Sequence, residues 1–185
     1  MKYKFYILPV ILIFITAPIT LANEKIKSAD INHRVTIGNY NSFWPDNIGI
    51  IEGGYDFVVN FPYLTQEYNL LDFGLGLSSL FAFDQTGNPR TPVLGFGVNG
   101  SIRMYTPSIL KARLFIESVM SLVVYSKDYP ANGTQINGGW HFGGGINYKN
   151  IFAKVLWFHT SNNDIYGRER NPSINALGFA FGIQL

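Results

Sequence analysis

The segment Val155-Leu156-Trp157-Phe158-His159-Thr160-Ser161-Asn162-Asn163-Asp164 is apolar through its first half and then delivers an imidazole, a hydroxyl and two amides. A histidine can take the proton of a serine hydroxyl and so make it a nucleophile, if the two side chains lie on one side of the backbone. On a strand, residues two apart share a face at a spacing of about 6.7 Å, close enough for an imidazole to lean toward a serine. A third group follows in Asn171-Pro172-Ser173-Ile174-Asn175, where Asn175 shares its parity with Leu177 and Phe179. If Ser161 lies opposite Ser173, then His159 lies opposite Asn175 with Cβ atoms about 5 Å apart, and the amide can hold the tilt and tautomer of the ring. An isolated His-x-Ser occurs often by chance, so its meaning depends on the elements that carry it.

Those elements alternate with a period of two. Leu94, Phe96, Val98, Ile102 and Met104 interleave with Gly95, Gly97, Asn99, Ser101 and Arg103. Residues 71 to 83 and the C-terminal Leu177, Phe179, Phe181, Ile183 and Leu185 repeat the pattern. Such alternation predicts strands, about eight of them, near 32–40, 48–60, 69–83, 93–105, 112–126, 138–148, 151–162 and 173–185.

The opening of the chain indicates export. Lys2 and Lys4 precede an uncharged run from Phe5 to Leu21, and Thr20 and Ala22 stand at −3 and −1 of a cut after Ala22. This reads as a signal peptide over 1–22, with one domain over 23–185. The alternative, an uncleaved anchor, is disfavoured by Pro18 near the end of the run. Of 14 Lys and Arg, two fall within the leader, leaving 12 basic against 12 acidic side chains and no net charge on the mature chain. No basic cluster remains to recruit nucleic acid. The absence of cysteine excludes disulfides and thiolate chemistry. Charged residues make up 14% of the chain, against roughly 25% in soluble domains, and that deficit points to a surface that does not face water.

An all-β, eight-stranded antiparallel transmembrane β-barrel of the outer-membrane type accounts for these features, because lipid cannot satisfy an open sheet edge. A soluble lipocalin-like barrel is the competing fold. It would carry many Lys and Glu outside, whereas the polar face here is mainly Gly, Ser, Asn and Ala. Glu52, Asp56, Asp72, Arg103, Arg113, Glu117 and Lys154 share the predicted inner parity and are read as a network filling a narrow lumen. Trp140 and Tyr148 suit the two interfacial girdles. With a periplasmic mature N-terminus, outer loops fall near 41–47, 84–92, 127–137 and 163–172, and inner turns near 61–68, 106–111 and Lys149-Asn150. Placing Lys154 inside sends His159 and Ser161 outward, at the outer rim. Two motifs are decoys: the GxGxxG-like Gly95–Gly100 lies within uninterrupted strand alternation, and Asn132-Gly133-Thr134 reads as a turn. His33, His141 and His159 are scattered, so neither a metal nor an organic cofactor is expected.

The pair His159-Thr160-Ser161-Asn162 and Asn171-Pro172-Ser173-Ile174-Asn175 resembles the lipid A 3-O-deacylase (PagL-type) family of outer-membrane barrels, which hydrolyse the ester-linked acyl chain at position 3 of lipid A. The resemblance implies a serine esterase in which His159 is the general base, Ser161 the nucleophile, Asn162 part of the oxyanion hole and Asn175 the third member of the triad. In that family the third member is a glutamate. An amide orients the histidine but does not neutralise the imidazolium, so Asp164 and Glu169 are the candidates for a substitute negative charge. Lipid A in lipopolysaccharide is the implied substrate and partner, with surrounding outer-membrane lipid; a homodimer is left open. The competing function is a noncatalytic, OmpA-like structural or adhesive barrel, or a family member with weakened activity.

Overall fold

The computed structural model describes residues 31–44, 48–60, 71–84, 92–129, 134–162 and 173–185. Eight strands follow in order: β1 (Ile31–Trp44), β2 (Ile48–Asn60), β3 (Leu71–Asp84), β4 (Val93–Tyr105), β5 (Ala112–Tyr129), β6 (Thr134–Tyr148), β7 (Ile151–Ser161) and β8 (Ile174–Gln184). Each pairs antiparallel with the next, and β8 returns to β1, which closes the barrel and leaves no edge. The signal peptide expected over 1–22 lies outside the described residues.

The alternation resolves as large apolar side chains outside. Phe96 is 67% exposed, Ile37 62% and Phe179 61%, and the apolar exterior continues around all eight strands. In water that surface would cost far more than a single domain's stability; in lipid it costs nothing. The lipocalin-like alternative is excluded by this polarity. The small residues on the inner face admit rings: a Cβ on Gly95 would meet Tyr125 Cε1 at 2.8 Å, and one on Gly38 would meet Tyr40 Oη at 2.7 Å.

Two of the expected outer connections are shorter than the sequence suggested. β1 continues to Trp44, beyond the expected loop start at 41. β5 and β6 run to Tyr129 and from Thr134, so strand occupies most of the expected 127–137 loop. Polar side chains do not end a strand once it has left the membrane, because water and neighbouring backbone satisfy them. Asn137 shows how, donating to the carbonyls of Tyr129 and Thr134 at 2.8 and 2.9 Å. The turn at Lys149-Asn150 is the two-residue hairpin expected, with Lys149 in the left-handed region at φ 55°. The start of β1 and the end of β8 share this end of the barrel: His33 N–H donates to Leu185 O at 3.1 Å, and Gln184 N–H to Asn150 O at 2.7 Å.

The lumen is layered. Near the end that carries the hairpin, Tyr105, Phe115 and Phe152 form a buried aromatic cluster. Above it lies a charged layer centred on Glu117, which is 2% exposed. Its Oε1 accepts from Arg34 Nη1 at 2.6 Å and from Arg103 Nη2 and Nε at 2.8 and 3.0 Å, while Oε2 accepts from Lys154 Nζ. Arg34 Nε stands 3.9 Å from Asp56 Oδ2, and Tyr105 donates to Asp72 Oδ2 at 2.7 Å. The guanidinium of Arg103 also lies 4.1 and 4.4 Å above the rings of Phe115 and Phe152. Toward the opposite end an apolar plug that includes Tyr40, Ile50, Tyr125, Leu156 and Phe158 fills the barrel. The interior is therefore only partly the polar network expected, and Arg113 lies at its margin, over the ring of Tyr105 at 4.3 Å.

Glu117→Gln should strand Arg34, Arg103 and Lys154 without their shared anion and cost about 3 to 5 kcal/mol. Urea unfolding of the lipid-reconstituted barrel, followed by gel mobility, measures this; an unchanged midpoint would show that the charged layer does not hold the strands together.

Candidate active site

Strand β7 sorts its side chains strictly. Phe152, Lys154, Leu156, Phe158, Thr160 and Asn162 are buried inside, each at 7% exposure or less, and Thr160 Oγ1 donates to Gly138 O at 3.1 Å. Trp157, His159 and Ser161, between them, are half-exposed on the outer face. They occupy the end of β7 opposite the hairpin, the start of β1 and the end of β8. His159 and Ser161 thus share a face and a rim, with the spacing of about 6.7 Å that a strand imposes.

The register across β7 and β8 places His159 beside Asn175. The ring Nδ1 lies 3.0 Å from Asn175 Oδ1. An amide oxygen only accepts, so Nδ1 is the donor in this bond, and in the neutral ring the lone pair then sits on Nε2. That is the tautomer a general base requires. Asn175 therefore orients the ring but brings no charge to it.

Asn162 departs from the role expected for its side chain. Its Nδ2 donates inward to Thr134 Oγ1 at 3.4 Å, and the residue is 2% exposed. Strand alternation turns it to the face opposite Ser161, so its amide side chain does not reach a group reacting on the outside. Asp164 and Glu169 lie outside the described residues. Among the described residues, no group of three or more His, Asp or Glu side chains is arranged to hold a metal ion.

Two neighbours of the imidazole were not recognised from the sequence. Trp157 stacks on His159 with ring centroids 5.6 Å apart and planes 28° apart. Trp140, paired with His159 across β6 and β7, sets its ring edge-on to Trp157 at 5.4 Å and 80°, and donates Nε1–H to Ser118 Oγ at 2.8 Å. The hairpin held the signal. With Tyr148 facing Ile151 across a two-residue turn, each step back along β6 meets one step forward along β7, which brings Trp140 to His159 and Gly138 to Ser161. A girdle tryptophan is thus also a neighbour of the candidate base.

No family model matches the chain, and no curated protein matches it. Among solved structures it is similar to the outer membrane enzyme PagL, with TM-score 0.62 and 12% identity over 81% of this chain and 98% of that one. It is also similar to Neisserial surface protein A (NspA), with TM-score 0.50 and 12% identity over 85% and 99% of the two chains. One neighbour is an enzyme and the other a surface protein, so the likeness establishes the fold alone. A closed barrel of this class with a lipid-facing exterior belongs in the bacterial outer membrane.

Asn175→Leu should release the ring Nδ1–H and leave His159 a mixture of tautomers. The ring nitrogen shifts of detergent-solubilised protein read this directly, and a single tautomer surviving the substitution would show that another group sets it.

Proposed function

We propose that this barrel is an outer-membrane serine esterase that removes the 3-O-linked acyl chain of lipid A. The observation that carries the reading is the bond between His159 Nδ1 and Asn175 Oδ1, which leaves Nε2 free on the same outward rim as the hydroxyl of Ser161. In this reading Nε2 accepts the proton of Ser161 as Oγ attacks the ester carbonyl. The tetrahedral oxyanion is met by backbone N–H groups around Ser161. His159 returns the proton to the departing sugar hydroxyl, leaving an acyl-serine. Water, deprotonated by the same nitrogen, then releases a 3-hydroxy fatty acid and restores Ser161. Asp164 and Glu169 remain the candidates for a negative charge, and replacing both without loss of activity removes them from the scheme.

The location favours a substrate held in the membrane. A site on the outer skin of a plugged barrel is reached by lateral diffusion within the leaflet, and lipid A occupies the outer leaflet. The similarity to PagL supports an enzyme on this fold, and the similarity to NspA supports a second reading, a noncatalytic surface barrel. One feature favours the second reading: Asn175 lacks the charge that a serine nucleophile's histidine ordinarily receives.

Mass spectrometry of lipid A from cells with and without the protein separates the two readings. The hydrolase reading expects loss of one 3-hydroxyacyl chain, abolished by Ser161→Ala and by His159→Asn, with removal of an acyl-serine fraction detectable at low temperature. An identical lipid A profile with and without expression would sink it.

A further inference from the structure

Resting on the esterase reading, we infer that Trp157 is a positioning residue for His159 and takes over part of the electrostatic work that a triad carboxylate would do. The imidazole gains a positive charge when it takes the proton of Ser161. Asn175 holds one edge of the ring and offers no counter-charge. The indole of Trp157 covers one face of the ring, with centroids 5.6 Å apart and planes at 28°. The face of an indole is electron-rich and attracts a cation within about 6 Å, more strongly where water is scarce. The attraction appears only when the ring is charged, so it favours the transition state over the resting enzyme.

The indole is itself held in place. Trp140 packs edge-on against it at 5.4 Å, and Trp140 Nε1 is tied to Ser118 Oγ on β5 at 2.8 Å. The clamp therefore spans four strands, from Ser118 on β5 to Asn175 on β8. Among the described residues, the outer face around the ring carries Gly138 and Trp140 from β6, Trp157 and Ser161 from β7, and Asn175 and Leu177 from β8, none of them ionisable. An aromatic residue serving only as a membrane anchor would need neither this stacking nor this support.

Three comparisons test the role. Trp157→Leu lowers kcat by about tenfold with KM unchanged, and Trp157→Phe recovers most of the loss. In an Asn175→Glu background the carboxylate supplies the charge, and Trp157→Leu then costs about twofold or less. Fluorinated tryptophans, which keep the ring's shape and drain its face of electron density, lower kcat stepwise with each added fluorine, and have no such effect in Trp157→Phe protein. This last comparison holds even if Trp157→Leu does not fold. The labelling rate of Ser161 by a fluorophosphonate gives a second readout independent of the ester supplied. An active wild-type enzyme in which fluorination leaves kcat and labelling unchanged, or in which Trp157→Leu costs the same in both backgrounds, overturns the inference and spares the esterase reading. A wild-type barrel that neither deacylates lipid A nor labels at Ser161 overturns both.

Discussion

The carboxylate of Glu117 sets the geometry of the barrel. Three cations from three other strands converge on it: Arg34 from β1, Arg103 from β4 and Lys154 from β7. Each would be intolerable in a sealed interior without an anion, and the anion would be equally costly without them. Arg34 on β1 and Glu117 on β5 stand four strands apart around the eight, so their bond crosses the lumen. Asp56 and Asp72 bring β2 and β3 into the same layer. Hydrogen bonds between adjacent strands close the cylinder, and this charged layer ties together strands that are not neighbours.

The same layer decides what faces the membrane. Lys154 must point inward to meet Glu117, and in a strand that choice is inherited by every second residue. His159, five residues on, is therefore sent outward, and Ser161 with it. A polar cluster deep in the lumen thus positions His159 and Ser161 on the opposite side of the sheet. The aromatic side chains outside complete the arrangement, since Trp157, Trp140 and Asn175 enclose the imidazole between an indole face and an amide oxygen.

Most of the fold was legible because period-two alternation is imposed by lipid on one face and by a narrow lumen on the other. Strand positions followed from Leu94 to Met104 and from Leu177 to Leu185, as did the pairing of His159 with Asn175. Loop lengths were less legible, since polar residues such as Lys127, Asp128, Gln135 and Asn137 continue a strand as readily as they end one. Arg34 was overlooked because β1 was not sorted by face, although Val35 and Ile37 on either side of Thr36 mark its parity. Asn162 illustrates a different gap. A motif places it next to the serine, but alternation turns its side chain away from it. The stacking of Trp157 on His159 depends on rotamers, which no pattern in the sequence specifies.

The hairpin at Lys149-Asn150 reaches further than its two residues suggest. Trp140 lies nine residues before it and His159 nine residues after it, so eight steps of paired strand, roughly 27 Å, separate the Tyr148–Ile151 pair from the indole and the imidazole. A longer connection would leave slack, and β6 could creep past β7 until the imidazole traded its tryptophan for a bare glycine or for a phenylalanine. Two residues leave none. The turn at one end of the barrel thereby governs which side chains keep company at the other, and a change at that remote bend would be felt first where the lipid is met.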